Sequence, residues 1–125
     1  TRIQELRGLK QKEYDLSKLL RLCEELNITY SYQCYYSVAF LTRALMDHVA
    51  PIFKCKNFDE VANNYKADKS EASFKRQMLH LNNSLRNISD RCIHSQIRRS
   101  ESLPNQTQID FKNDVDVLLS EIVWV

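Results

Sequence analysis

The sequence predicts an all-α domain, an antiparallel four-helix bundle with one short inserted helix. Three observations carry this. The 125 residues include one Gly and two Pro, too few for the tight turns that sheets require. Apolar residues recur at steps of three and four over long stretches. An apolar fraction of 43% with 27% charged residues is that of a globular chain able to bury a core.

The first helix is expected over residues 3–26, with Leu6, Leu9, Leu16, Leu19, Leu20, Cys23 and Leu26 on a broad face. Gly8 weakens its first turns. Asn27-Ile28-Thr29 is a break, with Thr29 or Ser31 as N-cap of the next element. The second helix, residues 31–50, is apolar on nearly every side (Tyr35, Tyr36, Val38, Ala39, Phe40, Leu41, Ala44, Leu45, Met46, Val49) and belongs at the centre. Arg43 in such a helix must reach a carboxylate, snorkel to water or line a pocket. Pro51 ends or bends the helix. Asn57 caps a short helix to Tyr65, with Glu60 completing the start, and Phe58, Val61 and Tyr65 dock it. After a polar connector, Lys66 to Ser70, the third long helix runs from about Glu71 to about Ile93. Its stripe is Phe74, Met78, Leu81, Leu85, Ile88 and Cys92. A loop, Ser95 to Gln106, leads to the last helix from about Gln108, with Phe111, Val115, Leu118, Leu119 and Ile122 inward.

Composition excludes several classes. The longest apolar runs, Val38–Leu41 and Ile122–Val125, fall far short of the roughly 20 residues of a membrane span. No signal peptide is visible at Thr1. The chain starts without Met and closes on an apolar run, so we read it as a domain excised from a longer protein whose missing domains share the function. Cys23, Cys34, Cys55 and Cys92 form no C-x-x-C pair and are expected as reduced thiols, three of them among apolar helical positions. This points to the cytoplasm. The sequons at Asn27, Asn83 and Asn105 are then idle. His48, His80 and His94 are too scattered for a metal site, and one Gly cannot build a phosphate-cradling loop, so no metal or cofactor is expected. Cys92 and His94 point different ways on a helix, which makes Cys92 a core thiol rather than a nucleophile. Tyr30, Tyr32, Tyr35 and Tyr36 suit the core and rim of a helical interface better than base stacking. Tyr32 and Tyr36, on one face, fit a dimer contact.

The net charge of +2 hides a gradient: residues 1–65 carry +1, residues 66–99 carry +5 and residues 100–125 carry −4. The basic segment also holds the most distinctive cluster, Arg86, Asn87, Asp90, Arg91 and His94. At about 100° per residue these fall within an arc of roughly 140° pointing away from the apolar stripe. Such a set matches phosphodiester cleavage through an RNA 2′-hydroxyl. His94 would move the proton and Arg86 and Arg91 would hold the phosphate charge, with Asn87 and Asp90 in support. Two readings stand side by side: this chemistry, or a polar helix end in which Asp90 pairs with Arg86 or His94 one turn away.

The segment Tyr36-Ser37-Val38-Ala39-Phe40-Leu41-Thr42-Arg43-Ala44-Leu45, followed by Arg86-Asn87-Ile88-Ser89-Asp90-Arg91-Cys92-Ile93-His94, resembles the HEPN superfamily of helical domains. The chain is also similar to C-terminal domains of uncharacterised bacterial proteins. The resemblance implies a helical bundle acting as a homodimer. It also implies RNA binding and, in many members, metal-independent endoribonuclease activity in bacterial defence and toxin–antitoxin systems. In the family motif four to six residues intervene between its Arg and its His. Here seven residues separate Arg86 from His94, and Arg91, Cys92 and Ile93 hold the usual His positions. On this reading His94, Arg86, Arg91, Asn87 and Asp90 form the site and Arg98 and Arg99 hold the RNA backbone. The alternative is a non-catalytic interaction or dimerisation domain. A third reading places a small ligand between helices around Arg43.

Overall fold

The computed structural model describes residues 1–9, 13–67 and 71–124; of Trp124 it describes the backbone only. The expectations that fall on residues 10–12 of the first helix, on residues 68–70 of the connector and on Val125 lie outside these. The fold is all-α, with no strand among the described residues.

The first expected helix is two. α1 (Arg2–Arg7) opens on a capping box between Thr1 and Gln4 and stops at Gly8. α2 (Ser17–Ser31) starts where the Asp15 carboxylate accepts from the backbone N–H and the hydroxyl of Ser17, at 2.9 and 2.6 Å. Thr29 and Ser31 do not cap the next helix. Their hydroxyls donate back to Glu25 and Asn27 carbonyls, and α2 runs on to Ser31. It ends in a Schellman turn: Cys34 N–H donates to Thr29 O and Gln33 N–H to Tyr30 O, with Gln33 at φ 60°. α3 (Tyr35–Val49) comes next, and Pro51 turns its end into a 3₁₀ segment, Ala50–Phe53. That segment closes the same way, with Lys54 at φ 60°.

Asn57 caps α4 (Phe58–Asn64) as expected, its side chain accepting from Glu60 N–H. Glu60 itself reaches back to Lys56 N–H at 3.0 Å. The third long helix is one rod in three parts: α5 (Glu71–His80), a π turn (Leu81–Leu85) and α6 (Arg86–His94). The chain then runs without helix to Asn105, which caps the short α7 (Gln106–Ile109) with a capping box to Gln108. α8 (Lys112–Trp124) closes the fold.

α2 packs along α3, α3 against α6, and α5 against α8. The core gathers Leu19 and Cys23 from α2, Leu45, Met46 and Val49 from α3, Phe58 and Val61 from α4, Phe74, Met78, Leu81 and Leu85 from the rod, and Leu118 and Ile122 from α8. Each such side chain contributes about 1.5–3 kcal/mol on burial. α3 is less enclosed than its composition suggests: Tyr36 and Phe40 are exposed and rest on each other, ring centroids 6.3 Å apart. Cys34 is exposed and Cys55 and Cys92 are half-buried, so only Cys23 behaves as a core thiol. No helix among the described residues is long and apolar enough to cross a membrane.

Candidate functional site

The π turn decides what α6 shows to its neighbours. In an uninterrupted helix, Arg86 and Asp90 would sit about 120° and 160° from the centre of the stripe that starts at Phe74. A turn bonded i→i+5 holds one residue more, so the residues beyond it lag by up to about 100°. Ser89, rather than Ile88, then becomes the wholly buried position after Leu85, at 0% exposure. Ile88 and Cys92 slip to the half-buried flank. The same lag brings Arg86 and Asp90 round to α3, while Asn87, Arg91 and His94 face solvent. The expected single polar arc is therefore split between a seam and a surface.

At the seam stands a ladder of alternating charge. Arg43 Nη1 donates to Asp90 Oδ1 and, at 3.0 Å, to the Ser89 hydroxyl. Its Nε is buried 3.7 Å from Asp47 Oδ2, beyond hydrogen-bond reach. Asp47 Oδ1 accepts from Arg86 Nη2 at 3.0 Å. Arg86 Nε donates to Asn82 Oδ1 at 3.3 Å, and Asn82 Nδ2 to Asp59 Oδ1 at 3.1 Å. The ladder joins α3, α4, the π turn and α6, and its order shows α3 and α6 running antiparallel. Arg43 thus finds the carboxylate its place in an apolar helix demanded. Its hydrogen bond to Asp90, with smaller contributions from the charges of His94 and Arg86, holds the Asp90 carboxyl below the usual carboxylate range.

The expected acid–base pairing of Asp90 with His94 is not made: no hydrogen bond links them, and Asp90 is spent on Arg43. Arg86 is likewise committed to Asp47 and Asn82. The outward group is different. Arg91 and His94 in the last turn of α6, and Arg99 beyond it, are exposed and make no ion pair with any described residue. Arg98 is held by Glu101, at 3.2 Å through its side chain and 3.1 Å through its backbone N–H. Asp47, Asn82, Asp59 and Ser89 were not legible as members of this constellation. The only signal for Asp47 is its opposite charge four residues after Arg43 on one helix face. No group of three or more His, Cys, Asp or Glu able to hold a metal occurs among the described residues.

A second polar pair lies apart from this site. His80 Nδ1 is 2.6 Å from Asp114 Oδ2, with the imidazole against Phe111, centroids 5.0 Å apart. It ties the end of α5 to the first turn of α8. No family model matches the chain, and comparison with curated proteins and with solved structures finds no match either.

Proposed function

We propose that this is a cytoplasmic HEPN-like domain, an antiparallel bundle of α2, α3, the α5–α6 rod and α8, that binds single-stranded RNA. Binding is through the cationic end of α6. The observation that carries the reading is the exposure of Arg91, His94 and Arg99 without ion-pair partners, beside a ladder in which Arg86 and Arg43 are already neutralised. Free guanidinium groups suit phosphate, and paired ones do not. The reducing compartment is supported by four free thiols. Arg86 and Asp90 act here through α3, fixing the angle at which α6 presents its last turn.

The test is fluorescence anisotropy with a labelled single-stranded RNA across a salt series. Two phosphate contacts give a slope of log K on log salt of about −1.4. The double variant Arg91→Ala/Arg99→Ala should lose most of the affinity and the slope with it. Wild-type affinity in that variant refutes the reading. In any cleavage the exposed His94 would be the proton-transfer group. Any ribonuclease activity should vanish in His94→Ala, and cleavage unchanged in that variant removes His94 from the role.

A second reading, a non-catalytic dimerisation or partner-binding module, draws on a separate observation. Tyr36 and Phe40 continue the α3 face that carries Arg43 and Asp47, and they are 42% and 38% exposed. A monomer at high concentration in sedimentation equilibrium would count against it.

A further inference from the structure

On the opposite side of α3 from the ladder, the start of α1, with α2, α3, α7 and α8, encloses a cleft of about 330 Å³ that opens to solvent on one side. Ile3, Leu26, Val38, Ile109, Phe111 and Leu119 form its walls. Protein interiors are close-packed, and an apolar hollow is costly to leave unfilled. A cavity of about 150 Å³ is enough to take benzene, and ligand pockets begin at about 300 Å³. The space therefore suits a ring system or a short alkyl chain.

Arg2, Asp116 and Lys112 carry the side-chain charges at the rim. Arg2 is spent, with two hydrogen bonds to Asp116 at 3.0 and 3.3 Å and one to Glu5 at 2.6 Å. Lys112 has no carboxylate in ion-pair range among the described residues. Its Nζ lies 4.0 Å from the centroid of the Tyr30 ring, which holds the ammonium at the mouth without neutralising it. The Tyr30 oxygen accepts from Gln106 Nε2 at 3.1 Å, so its own proton is left to donate. An apolar hollow with the uncompensated Lys112 ammonium and the Tyr30 hydroxyl at its edge has the layout of a receptor for an amphiphile. We propose that this cleft binds a small apolar molecule carrying one anionic head group, tail inward among Leu26, Val38 and Leu119 and head between Lys112 and Tyr30. The site shares no residue with the proposed RNA surface, and the inference does not rest on that reading.

Octanoate and octan-1-ol serve as probes, followed by methyl NMR on Ile3, Leu26, Val38 and Ile109, with Ile52 as a core reference outside the cleft. Saturable shifts at the four cleft methyls and none at Ile52 are expected with both probes. Lys112→Gln, at an exposed position, should weaken octanoate at least fivefold and leave octan-1-ol unchanged. Val115→Phe, which fills the cleft from its half-buried edge, should abolish both. Absence of saturable shifts, or equal shifts at Ile52, overturns the cleft as a binding site. Unchanged octanoate affinity in Lys112→Gln overturns the head-group assignment, whether or not Val115→Phe folds.

Discussion

Replacing Ser89 by Leu tests the angle of α6 directly. Ser89 is fully buried against α3, its hydroxyl accepting from Arg43 at 3.0 Å and donating to Arg86 O at 3.0 Å. Leucine forces extra carbon atoms into that contact, at about 1–3 kcal/mol. It also removes the bond to Arg43, worth about 1 kcal/mol because Arg43 keeps Asp90. The higher helix propensity of Leu returns only a few tenths of a kcal/mol. The sum is about 2–4 kcal/mol, or a fall in Tm of roughly 6–16 °C for a domain of this size. Asn87→Leu, on the exposed side of the same helix, is the control and should stay within about 0.5 kcal/mol. Thermal melts followed by circular dichroism at 222 nm decide it. In an uninterrupted helix Ser89 would sit about 60° off the stripe, at its edge, where leucine is tolerated. If the two variants melt together, α6 does not lag and the ladder is wrongly placed.

Asp90 gives a pH signature. Its folded pKa is depressed, chiefly by the Arg43 hydrogen bond, so its contribution is complete above an ordinary carboxylate pKa of about 3.9. That contribution is lost as pH falls through the lowered folded value. Asp90→Asn should therefore flatten the acid limb of a stability–pH curve below about pH 4 and leave its shape at neutral pH alone. An unchanged acid limb would show that Asp90 is not held by Arg43. At Gln33, left-handed at φ 60°, glycine relieves a strain of about 1–2 kcal/mol against an entropy cost of about 0.5–1 kcal/mol. Gln33→Gly should raise the urea midpoint and Gln33→Val lower it; the reverse order would mean the turn is not left-handed. Burial, reinforced by Glu24, pushes the Cys23 thiol up to about 11. At pH 8, maleimide should modify exposed Cys34 first and Cys23 last, as read by peptide mass mapping.

Periodicity made the rod from Glu71 to His94 legible almost to its ends and α3 to its C-terminus, because both bury a long stripe, but α3 starts at Tyr35, four residues after the expected start. The cap at Asn57 was equally plain, since an amide oxygen ahead of Phe58 has one obvious donor to satisfy. The break in the first helix was not. Leu6 and Leu16 both face the core, so the apolar pattern reads through Gly8 although the chain leaves the helix there. Thr29 and Ser31 misled for a related reason: a hydroxyl that can cap the next helix can also bond back within its own. The left-handed turn that did end α2 sits on Gln33, where composition gives no glycine to mark it. In the site, the residues were visible but their directions were not. An angle counted at 100° per residue is right only while every turn holds 3.6 residues, and the turn at Leu81–Leu85 does not.

That turn stores one residue more than the helices on either side require. Removing Asn83, whose side chain is exposed, would let its i→i+5 bonds close as i→i+4 while α6 still faced α3. A chain shortened by that residue should build the same ladder. Numbered from the first residue, two such chains would disagree by one at every position past the turn while coinciding in space. Place along the chain and place in the fold are separable for Arg86 and everything after it.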